Sequence, residues 1–368
     1  MPELPNIPTL GLCSTLSSLA FFGVFACLWV GRRDETHFLH WAGGSLIYAA
    51  AIPSFNHLAQ TPFQIGLLYS GLSLSTLAVL TGVRRFDGRS PFRPWMLLPI
   101  LASGLGYILP ALAFGPDSAA PRIGGTFGSL LNMAIVGGTL AFGRISPSSR
   151  GRRIAGAALL AYIPGFLAAI AAEAVGGTAT NMAALIPLVS DQMLLAVLNL
   201  GLIAMPGERA QAALREAALR DPLTGAWNRA GLAALGPRLL RSGTAVIALD
   251  VDHFKAINDR HGHAVGDRVL VALAACAQGV VPEPDACLIR LGGDEFVLFV
   301  SERSPAEARW LADEIRHAVA RTDSLPAWTI SLGIAAVEPG EADFAAAIER
   351  ADRSLYRAKA QGRDRAAA

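Results

Sequence analysis

The sequence is poor in charge and very poor in lysine. Charged residues make up 16% of its 368 residues and hydrophobic residues 52%, whereas about a quarter of a typical soluble domain is charged. This composition excludes an ordinary soluble globular protein and a disordered chain. Only two lysines are present, Lys255 and Lys359, and no stretch forms a dense basic face, so we expect no nucleic-acid binding.

Cysteine is also scarce. The four cysteines, Cys13, Cys27, Cys276 and Cys287, have no spacing typical of a zinc site or a disulfide framework. We therefore expect them to be small apolar side chains without a chemical role.

Charge is distributed unevenly between the two halves of the chain. Residues 1–205 carry 18 charges with a net charge of +4, and residues 206–368 carry 42 with a net charge of −2. This asymmetry predicts a membrane region followed by an aqueous domain. A spanning helix needs about 20 mostly apolar residues. Seven such stretches can be marked: 9–30, 38–55, 62–83, 94–114, 125–143, 154–176 and 182–205.

The arginines between these stretches indicate the orientation of the region. The first, third and fifth loops hold ten basic residues, whereas the second, fourth and sixth hold one, Arg122. Because short cytoplasmic loops collect Lys and Arg, we expect the N-terminus outside and the chain leaving the seventh helix on the cytoplasmic side. The opening MPELPNIP has no basic residue, so the first stretch is interpreted as a retained helix rather than a cleaved signal.

Two acids fall inside the predicted spans, Glu173 and Asp191. Ionisable groups in spans are costly and often functional. One interpretation is a polar ligand or proton site facing the bundle interior, and the other is a helix-end or hydrogen-bonding role. The structural role is favoured for Glu173, and both interpretations stand equally for Asp191.

A connecting segment follows the last span. Met205-Pro206-Gly207 is predicted to end the last span, and Glu208–Arg220 is rich in strong helix formers. This short helix could pair with its twin in a dimer or be a plain linker. The sequence thus predicts a transmembrane sensor region at 1–205, a linker helix at 206–220 and a soluble domain at 221–368.

The soluble half alternates predicted strands and helices. Strands are expected at 244–250, 286–291, 296–300 and 328–335, and helices at 229–240, 264–280, 305–319 and 345–361. The order βαββαβ with flanking helices predicts an α+β domain whose sheet is mainly antiparallel. The expected fold is therefore a seven-helix all-α bundle joined to an α+β domain.

Acidic residues lie at the ends of the predicted strands, where they could form a binding site. Asp250 ends the first strand, and Asp294 and Glu295 lie at the tip of the predicted hairpin, after Gly292 and Gly293. If the hairpin pairs with the first strand, Asp250 and Asp294 converge, and two carboxylates at a sheet edge suit Mg²⁺ with substrate phosphates. The glycines would let the backbone turn and a ligand approach. The alternative is a hairpin with solvent-facing acids at its tip.

At this point the residues resemble the GGDEF diguanylate cyclases. The resemblance covers residues 221–365 and rests on five ordered motifs: Asp221–Gly225 with Asn228-Arg229; Leu249–Lys255 with Ile257–Asp259, Gly262-His263 and Gly266-Asp267; Arg290–Phe296; Ser331–Ala335; and Ala351-Asp352 through Leu355–Lys359 with Gly362-Arg363. It implies a nucleotidyl-cyclase-like fold and the condensation of two GTP molecules into cyclic di-GMP and two pyrophosphates across a homodimer interface.

The resemblance also implies roles for single residues. Asp250, the carbonyl of Val251, Asp294 and the supporting Glu295 would hold two Mg²⁺, with Mn²⁺ as a substitute, and Asp294 could also take the proton of the attacking hydroxyl. The catalytic set is Asp294, Lys255 and Glu295. The GTP-binding set is Asn258, His263, Asp267, Lys359, Arg363, Gly292 and Gly293.

Within that set, Asn258 and Asp267 match the positions that read guanine, and His263 lines the same pocket. Lys255, Lys359 and Arg363 match the phosphate contacts. Lys359 and Arg363 lie four residues apart on the predicted last helix, so we expect them to share a face.

One departure from the family concerns its product-binding site. Many members carry Arg-x-x-Asp shortly before the first motif glycine, but this chain has Glu283-Pro284-Asp285-Ala286 there. We therefore expect no feedback inhibition through that turn.

The sequence favours a membrane-bound diguanylate cyclase in the bacterial inner membrane, with its catalytic domain in the cytoplasm. Its partners would be GTP, a second copy of the chain and the lipid bilayer. Two alternatives stay open, a catalytically inactive receptor for GTP or cyclic di-GMP and a transporter with a regulatory tail. The intact Asp250, Asp294 and Glu295 weigh against the first, and the few intramembrane charges against the second.

Overall fold

The computed structural model describes residues 6–57, 61–143, 149–175, 181–239, 241–283, 286–301, 303–322 and 326–368. The chain divides into two compact units, Met1–Ala210 and Gln211–Ala368.

The first unit is built from α-helices. A short 3₁₀ turn, Pro94–Met96, directly precedes the fourth α-helix of the unit. In chain order the helices are α1 (Ile7–Gly31), α2 (His37–His57), α3 (Pro62–Phe86), α4 (Leu97–Phe114), α5 (Ala119–Phe142), α6 (Arg150–Val175) and α7 (Met182–Ala218). The prediction of an all-α region with about seven helices is confirmed.

Six of these helices are long and apolar enough to cross a membrane, judged by length and composition within the described residues. The exception is α2, which carries histidines near both ends. Outward-facing leucines such as Leu67, Leu98 and Leu112 are more than half exposed. Such a surface is unfavourable in water and suits a hydrocarbon environment.

The helix α7 continues past Met205, the predicted end of the last span, through Pro206 and Gly207 to Ala218, so the predicted linker helix is the C-terminal part of α7 rather than a separate helix. Proline removes one helical hydrogen bond and crowds the preceding turn, which is why the sequence pattern indicated a break. Strong helix formers on the C-terminal side and burial of Pro206 outweigh that cost here.

The second unit is an α/β arrangement around a five-stranded sheet. Its elements are α8 (Arg229–Leu239), β1 (Ala245–Val251), α9 (Phe254–His261), α10 (His263–Val280), β2 (Ala286–Gly292), β3 (Glu295–Val300), α11 (Pro305–Ala320), β4 (Ile330–Ala336), α12 (Ala345–Ala360) and β5 (Ala366–Ala367). The strand order is β2-β3-β1-β4-β5, antiparallel except for the β4–β5 pair. The predicted mainly antiparallel sheet with flanking helices is confirmed.

Helices cover both faces of this sheet. Alternate residues of β1 point to opposite sides, as strand geometry requires. Ile247 and Leu249 join the core beneath α10 and α11, whereas Val246 and Ala248 join the core beneath α8 and α12. Asp250 continues the second series, so its side chain leaves the sheet on the side of α12.

Close packing of α12 on β4 holds that helix near the end of β1. A Cβ at Gly333 would collide with the backbone carbonyl of Ala351, so glycine lets the helix approach the sheet. The two elements that carry the candidate site are thus fixed by the core.

Candidate active site

The end of β1 and the turn between β2 and β3 meet at one edge of the sheet. The pairing of β1 with β3 sets Asp250 opposite Glu295, and the β2–β3 pairing sets Gly292 opposite Glu295. Gly293 and Asp294 form the two-residue turn between the strands. The hairpin therefore pairs with the first strand, which is the condition under which the sequence predicted that Asp250 and Asp294 converge.

Arg290 fixes the shape of this turn. Its guanidinium donates to the carbonyl oxygen of Gly293 from Nε at 3.0 Å and from Nη2 at 2.8 Å. Gly293 has a φ of +53°, a conformation that favours glycine. Arg290 also binds Asp221 at 2.9 Å. From the sequence, Arg290 and Asp221 were known only as motif residues. In the structure, their contact connects the motif that opens the domain to the turn.

Lys359 of α12 contacts Asp250, with 2.8 Å between Nζ and Oδ1. Asp250 is 9% exposed. Burial raises the pKa of its carboxyl, Lys359 opposes that rise, and the charges of Asp294 and Asp252 add to it. The edge of the sheet therefore concentrates more negative charge than Lys359 alone balances.

Asp352 adds a further carboxylate beside this group. Burial raises its pKa, the charge of Glu295 raises it further, and Lys359 lowers it. Asp352 lies on α12, two turns before Lys359. From the sequence, Asp352 was known only as a motif residue. Its position on the predicted last helix, two turns before Lys359, is the signal that could have identified it as a site residue.

Asp252 has a structural role in the fold. It is buried and accepts hydrogen bonds from the hydroxyls of Thr329 and Ser331, both at 2.7 Å, and from the backbone N–H of Asp364 at 3.1 Å. These bonds tie the end of β1 to β4 and to the segment after α12.

The donor set at this edge suits a hard divalent cation. Among the described residues, no three His, Cys, Asp or Glu side chains gather closely enough to hold a metal by themselves. Mg²⁺ commonly binds through one or two carboxylates and takes the rest of its ligands from phosphates and water. Asp250, Asp294 and the carbonyl of neighbouring Val251 fit a metal that arrives with a phosphate-bearing substrate.

The residues matched to guanine recognition lie on α9 and α10. Asn258 packs against Gly266, and its buried Oδ1 has no hydrogen-bond partner among the described residues. His263 and Asp267 are exposed and lie four residues apart on α10, hence on one face. Lys255 is exposed in the first turn of α9.

The expectation that Lys359 and Arg363 share a helical face is wrong. The last helix ends at Ala360, and Arg363 follows Gly362 with a φ of +60°. Gly362, with a φ of +112°, terminates the helix before Arg363 is reached. Arg363 is therefore presented from a turn, exposed to solvent.

The turn that departs from the family's product site is partly described. Pro284 and Asp285 lie outside the described residues. Glu283 accepts from both terminal nitrogens of Arg220, at 3.2 and 3.3 Å, and from Nε1 of Trp227 at 2.9 Å. The Arg220 guanidinium lies over the Trp227 ring, 3.9 Å from its centroid. A carboxylate thus occupies the place where the family has a cation.

The sequence of the second unit is similar to known proteins. The profile of the family described as "Diguanylate cyclase, GGDEF domain" matches residues 218–365. Residues 218–365 belong to the GGDEF domain family. The diguanylate cyclase DgcP of Pseudomonas aeruginosa is 41% identical over 163 residues, which is 41% of this chain and 24% of DgcP. The diguanylate cyclase DgcM of Escherichia coli K12 is 35% identical over 166 residues, 43% of this chain and 40% of DgcM.

Among solved structures, the GGDEF domain of DgcB from Caulobacter crescentus in complex with c-di-GMP is 33% identical, covers 41% of this chain and 95% of that chain, and has a TM-score of 0.37. The chain spans between a quarter and two fifths of the length of the two curated relatives. The resemblance to the GGDEF family that the sequence indicated is confirmed for the second unit.

Proposed function

We propose that the chain is a diguanylate cyclase that condenses two GTP molecules into cyclic di-GMP. The observation that carries the proposal is the edge at which Asp250, the Gly293-Asp294 turn and Lys359 come together within a GGDEF domain. A carboxylate pair beside an ammonium group suits a triphosphate with its divalent cation.

In the proposed reaction, the 3′-hydroxyl of each GTP attacks the α-phosphate of the other. A new oxygen–phosphorus bond forms, the bond to the pyrophosphate leaving group breaks, and the hydroxyl proton passes to Asp294 or to solvent. Two such steps give one cyclic di-GMP and two pyrophosphates. Two divalent cations, Mg²⁺ or Mn²⁺, would lower the pKa of the hydroxyl and neutralise the leaving group.

The residues around the edge then take distinct parts. Asp250, the Val251 carbonyl and Asp294 hold the cations, and Glu295 supports them. Gly292 and Gly293 leave room for the phosphates. Three cationic side chains, Lys255, Lys359 and Arg363, bind the triphosphate.

Guanine is bound between α9 and α10 in this proposal. The Asn258 amide and the Asp267 carboxylate accept from the N1–H and 2-amino groups of guanine, and adenine lacks this donor pattern. His263 lines the same pocket. Because Oδ1 of Asn258 has no hydrogen-bond partner among the described residues, it supports a role of this amide as an acceptor for guanine.

The first unit is proposed to be a membrane sensor. Six of its helices are apolar enough to cross a membrane, and α2 is proposed to cross as the seventh, because only seven crossings put all the arginine-rich loops on one side. This arrangement supports a multi-pass protein of the bacterial inner membrane with the cyclase in the cytoplasm. Each GGDEF domain holds one GTP, so catalysis needs a homodimer, and the sensor regulates how often two domains face each other.

The test is to incubate membranes that contain the full chain with GTP and MgCl₂, and to measure cyclic di-GMP by chromatography. The wild type should form product, Asp294→Ala should reduce the rate at least 100-fold, and Glu349→Gln at an exposed position of α12 should leave it unchanged. If wild type and variant bind GTP but neither forms product, the protein is a nucleotide receptor and the proposal is wrong.

A further inference from the structure

The first unit contains a cavity of about 590 Å³. This volume lies within the range of about 300–1,000 Å³ that is usual for small-molecule sites. Residues of all seven helices line it, and its walls are rich in aromatic side chains. The aromatic lining residues are Tyr48, Phe55, Tyr69, Tyr107, Tyr162 and Phe166.

Asp191 of α7 lies on the wall of this cavity and is only 2% exposed. The hydroxyl of Tyr162 donates to its Oδ1 at 2.6 Å. The hydroxyls of Ser14 and Tyr48 also interact with this carboxyl group, although no partner of Oδ2 among the described residues meets hydrogen-bond geometry. The partners of this carboxylate among the described residues are therefore neutral hydroxyl groups.

No cation of the described residues balances Asp191. The one positively charged residue on the cavity wall, in the part of the chain that the structure describes, is Arg122, and its Nε donates to Glu173 at 2.8 Å. Glu173 also accepts from the backbone N–H of Ala183 at 3.1 Å, so it has the structural role favoured from the sequence. A buried carboxylate without a countercharge is costly, and a bound cation would remove that cost.

Other buried polar atoms on the wall also lack a hydrogen-bond partner among the described residues. The amide nitrogen of Asn132 donates to the Ser73 carbonyl at 3.3 Å, which leaves its buried Oδ1 without a partner. The buried hydroxyl of Ser18 likewise lacks one among the described residues. An ammonium group offers three donors and no acceptor, and tyrosine and phenylalanine rings attract cations.

We propose that this cavity is a binding site for an organic ammonium compound, a primary amine on an apolar body, with its charge at Asp191. The carboxylate without a countercharge and the aromatic walls together favour this chemistry over anions. The amine could belong to a free metabolite or to the headgroup of an aminophospholipid, since both present the same ammonium group. The binding step does not depend on cyclase activity.

The test uses the full chain in nanodiscs of phosphatidylcholine. 2-Phenylethylamine, tryptamine and n-octylamine are titrated, with 2-phenylethanol and n-octanol as neutral counterparts, and the thermal transition of the protein is measured. At least one amine should bind saturably and raise the Tm, and its alcohol should bind at least tenfold more weakly. Asp191→Asn should weaken amine binding at least tenfold, whereas Asp117→Asn, in the exposed loop before α5, should not.

The proposal is overturned if no amine shifts the transition of the folded wild type, or if alcohols bind as tightly as amines. It is also overturned if Asp191→Asn retains full amine affinity. The amine–alcohol comparison on the wild type needs no variant, so it decides the matter even if Asp191→Asn does not fold.

A second set of nanodiscs, made with phosphatidylethanolamine, separates the two sources of the amine. If the headgroup is the natural occupant, the free amine should bind at least tenfold more weakly in these discs. Equal affinity in both lipids would assign the site to a free amine. A failure of amine binding leaves the cyclase assay untouched, so the two proposals fail independently.

Discussion

The ammonium group of Lys359 lies 2.8 Å from Oδ1 of Asp250, across the gap between the last helix and the first strand of the GGDEF domain. Both lysines of the chain lie at positions matched to phosphate contacts, and this one already faces a carboxylate proposed to bind a metal. The contact joins the two halves of the proposed site, because one residue would bind phosphate and the other the cation that neutralises it.

Substitution of either residue should therefore affect catalysis in different ways. Asp250→Asn should lower kcat at least 100-fold because it weakens cation binding, and Lys359→Met should mainly raise the KM for GTP, about tenfold or more. Steady-state kinetics of cyclic di-GMP formation separate the two effects, with Glu349→Gln, at an exposed position of α12, as the control. Retention of a tenth of the activity by Asp250→Asn would contradict this assignment.

Asp252 should matter for stability. Asp252→Ala leaves the buried donors of Thr329, Ser331 and Asp364 without their acceptor, and we expect a loss of about 2–3 kcal/mol in the free energy of unfolding. Urea unfolding of the full chain, followed by tryptophan fluorescence, measures the loss. Glu349→Ala is the control, and equal stability of the two variants would disprove the structural role.

Acid should weaken the contact between Asp221 and Arg290. Burial alone would raise the pKa of Asp221, but hydrogen bonds from Thr224 and Arg290 outweigh burial and lower it. A depressed pKa contributes stability above the unfolded value of about 3.9, and this stability is lost as pH falls through the folded pKa.

Asp221→Asn should consequently be less stable than the wild type at neutral pH, with a difference that shrinks as the pH falls below about 4. Thermal unfolding measured from pH 7 to pH 2 tests this dependence. A difference that stays constant or grows in acid would show that the ionised carboxylate of Asp221 is not the source of stability.

Product should not inhibit the enzyme through the turn at Glu283. The carboxylate of Glu283 is paired with Arg220, and burial, which would raise its pKa, is outweighed by the hydrogen bonds of Arg220 and Trp227, which lower it. The guanidinium of Arg220 is engaged by this carboxylate, so it is not free to bind the phosphates of cyclic di-GMP. Initial rates with added cyclic di-GMP should stay within about twofold, since no charge-assisted bond is available.

Strong inhibition that Glu283→Ala abolishes would contradict this prediction. Inhibition that persists unchanged in Glu283→Ala would instead reflect competition at the GTP site.

Most of the second unit was predictable because its strands are continuous apolar runs bounded by turn residues. The predicted strand 244–250 is observed as Ala245–Val251, and the predicted hairpin is present around Gly293. The short helix Phe254–His261 was missed, since it is mostly polar and begins after His253, a residue with a φ of +56°. The strand Ala366–Ala367 was also missed, because two residues are too few to show the alternation of apolar and polar side chains that is typical of a strand.

The first unit was predictable in helix number because hydrocarbon thickness sets the length of the apolar runs. The residues at which the helices end were harder to predict from the sequence. Prolines interrupt the sequence at Pro53, Pro110, Pro164 and Pro206, yet each lies within a helix, since packing in the bundle compensates for the lost hydrogen bond. Tertiary pairings, such as Glu173 with Arg122 and Arg290 with Asp221, leave no local sequence signal at all.

The most direct test of the account is the mass balance of the reaction. Full-length wild-type protein in membranes is given GTP and MgCl₂, and GTP, cyclic di-GMP and pyrophosphate are measured over time. We predict one cyclic di-GMP and two pyrophosphates for every two GTP consumed, with no product from Asp294→Ala. Unchanged GTP, or GTP consumed without cyclic product, would contradict the assignment of this chain as a diguanylate cyclase.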